Sequence, residues 1–170
     1  MDSIAASPLS GADVDIRTLE AFLQHEADLL DRSRFEDWMA LFTPDGYYWV
    51  PVTPDQQSFL DHVSLFYDDR PMMEARILRL RHPRNLANIP AGRALRMVGH
   101  VRLDQSNSAP GHWRVQSKLM MVEARRGEKR VFAGDVEHEL RLVDGALRIG
   151  WKKVVLVDCD QPFEELMVPF

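Results

Sequence analysis

The side chains of this sequence that could carry out acid–base chemistry lie at apolar positions of predicted helices and strands. Glu26 falls inside the apolar face of a predicted helix, because successive residues advance by about 100° around a helix axis. The apolar residues of that face are Leu19, Phe22, Leu23, Ala27 and Leu30. A carboxylate there must gain a partner or stay protonated, since burying an unpaired charge is costly.

Two interpretations of Glu26 follow. It is a general base whose pKa is raised in a pocket, where Tyr47 or Tyr48 donates a hydrogen bond to a developing oxyanion. Alternatively, it forms a buried ion pair with an arginine from residues 70–102. We favour the ion pair, and we favour a packing role for the two tyrosines, because aromatic pairs on strands usually pack.

The histidines do not form a recognisable metal-binding or catalytic motif. They are His25, His62, His82, His100, His112 and His138. None belongs to an H-E-x-x-H motif or to the D-x-x-H-x-x-x-x-H spacing of a mononuclear iron site, so a metal site would need convergence in the fold. His138 lies between Val136 and Leu140, which favours a hydrogen-bonded core or interface histidine over a catalytic base. We therefore predict no catalytic, cofactor-binding or metal-binding residue on this chain.

Composition excludes several classes of protein. The 170 residues carry 21 basic and 26 acidic side chains, and the net charge of -5 argues against general nucleic-acid binding. No apolar run reaches the roughly 18 residues of a membrane span, and the first 15 residues lack the apolar core of a secretory signal. Because Cys159 is the single cysteine, an internal disulfide, a multi-cysteine zinc site and an iron–sulfur cluster held by this chain alone are excluded. We expect a cytoplasmic location.

The charges are unevenly distributed along the chain. Residues 1–31 hold seven acids and one base, whereas residues 70–102 hold eight arginines and one acid. Arginine is favoured in buried ion pairs and at protein interfaces, since its planar guanidinium matches a carboxylate and loses its water readily. We therefore expect these arginines to pair with acids of this chain or of a protein partner, in preference to nucleic acid.

Helices are predicted in the first half of the chain. Residues 1–15 are predicted to be a flexible arm, and a helix follows from Asp15 to Asp31. A capping box of Ser33 and Glu36 starts a second helix, which buries Phe35, Trp38, Met39 and Phe42. A turn at 43–46 ends it, before a short strand over 47–52 near a sheet edge.

The remaining elements predict an α+β domain over residues 16–170. Residues 53–69 are predicted to be irregular, and a third helix begins after Asp69 with Pro71 in its first turn. It continues through Met73, Ile77 and Leu80 until Pro83.

Hairpins then join four antiparallel strands, predicted at 93–104, 112–125, 129–143 and 147–157. Alternation predicts one apolar face of the first of these strands, made by Leu95, Met97, Val101 and Leu103. Helices packed on one concave face of this sheet complete the predicted fold.

Several segments resemble the small (beta) subunit of aromatic-ring-hydroxylating dioxygenases, which are Rieske non-haem iron enzymes. The segment 19–52, LEAFLQHEADLLDRSRFEDWMALFTPDGYYWVPV, matches the family pattern E-A-x-x-L-D, F-x-x-W-L, T-x-D and W-x-P. Its matching residues are Glu26, Ala27, Leu30, Asp31, Phe35, Trp38, Asp45, Trp49 and Pro51. Residues 76–80 resemble the R-x-x-R-L helix, Arg93 occupies an arginine of the next family strand, and residues 152–156 resemble the last long strand.

The resemblance implies a cone-shaped NTF2-like/SnoaL-like fold and a non-catalytic structural role. It implies assembly with a large (alpha) subunit as an α3β3 hexamer, in which this chain forms a homotrimer. The Rieske [2Fe-2S] cluster and the mononuclear Fe(II) would lie on that partner, which adds dioxygen to an aromatic substrate. The alternative is a free-standing isomerase or dehydratase of the same fold that uses Glu26 with a tyrosine or histidine as acid and base. Fold alone does not separate the two.

Overall fold

The computed structural model describes residues 9–82, 92–104, 109–162 and 169–170. Three α-helices are present among them: α1 (Ile16–Asp31), α2 (Phe35–Ala40) and α3 (Arg70–Arg81). The side chain of Asp15 caps α1, and that of Asp69 caps α3, whose second residue is a proline as predicted. No helix of the described residues is both long and apolar enough to cross a membrane. Pro83, the predicted helix stop, lies outside the described residues.

Six strands form one mixed sheet. They are β1 (Phe42–Pro51), β2 (Ser64–Asp69), β3 (Arg93–Asp104), β4 (His112–Arg125), β5 (Glu128–Val143) and β6 (Ala146–Leu156). Their order across the sheet is β2-β1-β6-β5-β4-β3, and all neighbours are antiparallel except β1 and β6. The four predicted strands of the second half are confirmed to within one residue at each end. β2 and β3 are the two edges.

Helix α1 lies on one face of the sheet, called the inner face from here on. Its buried residues are Leu19, Leu23, Glu26, Ala27, Leu29 and Leu30, as the predicted apolar face requires. They pack with inward-pointing residues of β4, β5 and β6, including Val115, Val136 and Val154. Residues two apart along a strand point to the same face, so each strand contributes alternate side chains to this core.

The connection between α2 and β1 differs from the prediction. Ser33 has a left-handed backbone with φ 54°, and Arg34 is the N-terminal flanking residue of α2 without a side-chain cap, so the predicted capping box is absent. Residues 43–46 belong to β1 rather than to a turn. The pairing of β1 with β6 is irregular between Phe42 and Tyr47, and a Cβ on Gly46 would lie 2.9 Å from the Ile149 carbonyl oxygen. Glycine allows this close backbone approach, which the sequence pattern alone does not reveal.

Strand β2 was predicted to be irregular, and that prediction is wrong. Phe66 and Asp68 point inward and are buried, whereas Tyr67 and Asp69 point outward. The acidic residues obscured the alternation, because Asp68 occupies a position where strands usually have an apolar side chain. Arg76 of α3 satisfies that carboxylate through two hydrogen bonds of 2.5 and 2.9 Å.

The predicted apolar face of β3 is also wrong. Its pairing with β4 shifts between Gly99 and Arg102, where His100 has φ 55°, and such a bulge reverses the faces of the residues beyond it. Leu95 and Met97 are therefore 58% and 65% exposed on the outer face, whereas Val101 and Leu103 pack against the core.

Candidate functional site

The inner face holds a cluster of buried polar side chains around Glu26. Trp38 Nε1 donates a hydrogen bond of 3.0 Å to Glu26 Oε1, and Lys152 Nζ donates one of 2.8 Å to the same oxygen. His138 Nε2 lies 2.9 Å from Glu26 Oε2. Glu26 is 2% exposed. These four residues are called the Glu26 cluster below. The other three residues of the cluster satisfy both oxygens of the buried Glu26 carboxylate.

Four different elements position the Glu26 cluster. Glu26 lies on the buried face of α1, and Trp38 lies on α2. His138 on β5 and Lys152 on β6 are directly opposite each other in the antiparallel pairing. Adjacent strands bring the Cβ atoms of such a pair to about 5 Å, so both side chains reach the same carboxylate. The cluster therefore ties α1 to the centre of the sheet.

The predicted partner of Glu26 is corrected by these contacts. An arginine from residues 70–102 was expected, but the charged partner is Lys152. The prediction that the carboxylate is buried and paired is confirmed. The preference for arginine failed because Arg76, Arg81 and Arg96 pair with other acids of this chain.

The electrostatics of the cluster assign its protonation states. Burial opposes the charge of Glu26, but Lys152 and His138 outweigh it and hold the pKa of the carboxyl below its ordinary value of 4.5. Burial also lowers the pKa of His138 below 6.5, so its imidazole is neutral at pH 7. Because a carboxylate only accepts, His138 Nε2 carries the proton and Nδ1 does not. Nδ1 is buried, and no hydrogen-bond partner for it lies in the described part of the chain.

Phe170 lies against the Glu26 cluster. Lys152 Nζ donates a hydrogen bond of 2.7 Å to the main-chain oxygen of Phe170, and the Phe170 N–H donates one of 3.0 Å to the Tyr48 hydroxyl. The guanidinium of Arg96, which pairs with Asp31 at 2.6 Å, donates to the carbonyl oxygen of Pro169. With Phe170 in place, the cavity between α1 and the sheet measures about 10 Å³. That volume is at the lower limit for one water molecule.

The two tyrosines lie on opposite faces of β1. Tyr48 is fully buried on the inner face, where burial strongly raises the pKa of its phenol. Tyr47 lies on the outer face, in contact with the aromatic rings of Phe59, Tyr67 and Trp151. The structure therefore brings one tyrosine and one histidine, Tyr48 and His138, to the region of Glu26, and it leaves Tyr47 outside.

The other histidines do not converge with His138. His112 on β4 lies 3.0 Å from the carboxylate of Glu139, and His25 on α1 is exposed. Within residues 9–82, 92–104, 109–162 and 169–170, no group of three or more histidine, cysteine or acidic side chains is arranged to hold a metal ion.

Several arginines of residues 70–102 pair with acids of this chain. Arg76 pairs with Asp68, Arg81 with Glu36, and Arg96 with Asp31. Arg70 instead donates to the carbonyl oxygens of Met39 and Phe42. The expectation of intramolecular acid partners is confirmed for these three pairs, and the acidic first helix supplies one of the carboxylates.

Sequence reasoning missed Lys152, although a signal was present. Lys152, Val154 and Leu156 alternate along β6, and all three are buried on the inner face. A lysine in phase with two apolar residues of a central strand indicates a buried cation that needs an acid. Arg96 on β3 was missed because the sequence pattern does not reveal the bulge. Without the bulge, Leu95 and Met97 were assigned to the inner face and Arg96 to the outer face.

The family model and the curated relatives indicate one family. The family described as ring hydroxylating beta subunit matches residues 25–160. The small oxygenase component of the p-cumate 2,3-dioxygenase system of Pseudomonas putida is 34% identical over 140 residues, which cover 81% of this chain and 77% of that protein. The 2-halobenzoate 1,2-dioxygenase small subunit of Burkholderia cepacia is 34% identical over 145 residues, which cover 80% of this chain and 84% of that protein.

A solved structure supports the same fold. The beta subunit of benzoate 1,2-dioxygenase from Burkholderia mallei ATCC 23344 superposes with a TM-score of 0.72 at 24% identity, covering 84% of this chain and 91% of that chain. The predicted α+β, NTF2-like fold, with N-terminal helices on a mostly antiparallel sheet, is confirmed. By its match to the family and its identity to these relatives, the chain belongs to the ring-hydroxylating dioxygenase beta subunits and is a small subunit of an aromatic-ring dioxygenase.

Proposed function

We propose that this chain is the non-catalytic structural subunit of its dioxygenase. The observation that carries the proposal is the closed state of the Glu26 cluster. Both carboxylate oxygens accept hydrogen bonds from side chains of this chain, and Phe170 fills the space beside them. An acid–base catalyst needs room for its substrate within hydrogen-bond distance, and a cavity of about 10 Å³ holds no aromatic compound.

The same proposal places the redox centres on a large subunit. The Rieske [2Fe-2S] cluster and the mononuclear Fe(II) belong to that alpha subunit, and an aromatic compound is its substrate. The relatives are described as parts of systems acting on p-cumate and 2-halobenzoate, which supports an aromatic substrate without fixing which one.

The outer surface of the sheet supports assembly. Apolar side chains of β3, β4 and β5, and one just beyond β6, are exposed there: Leu95 by 58%, Met97 by 65%, Met120 by 49%, Val131 by 61% and Val157 by 78%. Strand β3 is also a sheet edge of 12 residues. A long sheet edge offers unpaired main-chain groups to another chain, and a large exposed apolar patch marks an interaction site. A homotrimer of this chain within an α3β3 hexamer would cover such surfaces by repeating one contact around a closed ring.

Co-expression with the large subunit tests the proposal. We expect one complex of equal subunit stoichiometry by light scattering, with iron in the complex and none in stoichiometric amount on the isolated small subunit. A small subunit that stays monomeric and ignores a Rieske-type partner would contradict the assembly.

Activity of the complex tests the non-catalytic role. Glu26→Gln removes the charge of the carboxylate but keeps its shape, and Glu36→Gln is the matched control on the surface. We expect both folded complexes to keep the kcat of the wild type, because neither side chain contacts the substrate. A Glu26→Gln complex that assembles fully but loses kcat would contradict the non-catalytic role of this subunit.

A further inference from the structure

Phe170 occupies the interior of the cone in the manner of a bound ligand. Its side chain is fully buried. The ring centroid lies 5.2 Å from that of Phe132, with an interplanar angle of 64°, and 6.3 Å from that of Phe66, with an angle of 85°. Edge-to-face contacts of this kind are the favoured geometry between aromatic rings. The ring therefore sits in a subsite shaped for a single aromatic group.

The main chain of Phe170 is held as firmly as its ring. Tyr48 accepts from its N–H, and Lys152 donates to its oxygen at 2.7 Å. Both groups are fixed independently of Phe170, since Tyr48 lies in the middle of β1 and Lys152 is anchored by Glu26 at 2.8 Å. A polar subsite thus lies next to the aromatic one. Its cation, Lys152, is buried but remains paired with Glu26.

Two lining residues retain unused hydrogen-bonding capacity. Among the residues that the structure describes, His138 Nδ1 and Arg96 Nε are buried polar atoms without a hydrogen-bond partner, and both residues line the cavity beside Phe170. Buried polar atoms are seldom left unsatisfied in a purely structural core. A polar ligand in the cavity would find an acceptor at one of these atoms and a donor at the other.

We propose that the interior of the cone is a binding site for a single-ring aromatic compound with an acyl group two carbons from the ring, which Phe170 fills as an internal ligand. The chemical class follows from the covalent structure of phenylalanine, in which Cβ and Cα join the ring to the acyl carbon. Compounds of the 3-phenylpropanoyl type place a ring between Phe66 and Phe132 and an oxygen at Lys152. The oxygen belongs to an amide or to a carboxylate, which share this contact.

Two variants of the full chain separate the aromatic subsite from the polar one. A chain shortened to Pro169 lacks the ring and both main-chain groups of Phe170, whereas Phe170→Ala lacks the ring but keeps those groups. Ethylbenzene, 3-phenylpropanamide and 3-phenylpropanoate are the probes, and binding is measured by calorimetry and by the shift in Tm.

We expect the shortened chain to bind one of the acyl compounds about tenfold more tightly than ethylbenzene, because a hydrogen bond to a buried cation is gained. Its Tm should rise by about 3–6 °C at roughly ten times Kd. Phe170→Ala should bind ethylbenzene without this preference, and the wild type should bind none of the three. The amide and the carboxylate together show whether the site prefers a neutral or an anionic oxygen.

Phe35→Ala is the matched control, since it opens a space in the same core while Phe170 stays in place. Equal binding of acyl compounds and ethylbenzene by the shortened chain, or equal acyl binding by Phe35→Ala, would overturn the proposal. If the shortened chain does not fold alone, recovery of folded protein with 3-phenylpropanamide or 3-phenylpropanoate in the refolding buffer becomes the measurement. No recovery with either compound would count against the site.

Discussion

The Glu26–Lys152 pair and the Arg81–Glu36 pair join opposite charges across similar distances in very different surroundings. Both contacts measure 2.8 Å. The side chains of the first pair are 3% and 5% exposed, whereas those of the second are 49% and 56% exposed. Water replaces a lost partner at the surface but not in the core, so the same geometry has different consequences for stability.

The two pairs also differ in what they connect. Arg81 and Glu36 join two helices on the outside of the molecule, and either side chain is free to turn into solvent. The Glu26 carboxylate instead receives donors from α2, β5 and β6. A polar network whose charges are paired inside a core favours one arrangement of those elements, because another arrangement leaves a charge unpaired. We infer that the cluster fixes the position of α1 on the sheet.

Removing the buried carboxylate should give the largest effect. Glu26→Ala leaves Lys152 as an uncompensated buried cation, and we expect the free energy of unfolding to decrease by about 3–5 kcal/mol. Urea denaturation followed by far-ultraviolet circular dichroism measures the change. Glu20→Ala, a change to a less buried acid on the same helix, is the control. A decrease below about 1 kcal/mol in the free energy of unfolding of Glu26→Ala would show that the buried pair contributes no more than an exposed ion pair.

The buried cluster should also make stability depend on pH. The pKa of His138 is lowered below 6.5 in the folded chain, so the unfolded chain binds more protons as the pH falls through that value, and the free energy of unfolding decreases. Glu26, whose pKa lies below 4.5, adds a second decrease as the pH falls below 4.5. His138→Gln should flatten the profile between pH 7 and pH 5, whereas the exposed His25→Gln should not. Unchanged slopes in both variants would refute the neutral state of His138.

A smaller effect is expected where the cluster meets Phe170. Tyr48→Phe removes the hydroxyl that accepts from the Phe170 N–H, and a buried donor left without its acceptor costs about 1–3 kcal/mol. Tyr67→Phe, on the exposed outer face, is the matched control and should change stability by less than about 0.5 kcal/mol. Equal losses in the two variants would mean that Phe170 is not held by this bond.

The comparison also explains which parts of the molecule the sequence could predict. The burial of Glu26 followed from the helical period, because local geometry alone places it beside Leu23 and Leu30. Its partners His138 and Lys152 lie 112 and 126 positions further along the chain, and no local pattern connects them to Glu26. His138 was recognised on the apolar face of its own strand, yet only the tertiary fold, which brings Glu26 to His138 and Lys152, joins the two observations.

The strands show the same limit. The lengths of β3 to β6 followed from alternation and turn residues, since both act over a few positions. The faces of β3 did not, because the bulge at His100 reverses them, and β2 was hidden by an acid that Arg76 neutralises from another element. The periodicity of a sequence does not predict a feature that depends on the extra residue of a bulge or on a counter-charge from a distant element.

The smallest effect on the free energy of unfolding is expected for the surface pair of Arg81 and Glu36. Arg81→Ala removes the contact with Glu36, and we expect a loss of about 0–1 kcal/mol, because both groups become hydrated when separated. Arg81 also lies 5.5 Å from the ring centroid of Phe35 and donates to the Ser33 carbonyl oxygen, so Glu36→Ala is measured beside it to isolate the charge. Urea denaturation at low and high salt should bring the two variants closer to the wild type as salt increases. A decrease of about 3 kcal/mol in the free energy of unfolding that does not change with salt would mean that the surface pair contributes as much as the buried one. Exposure would then not explain the difference between the two pairs.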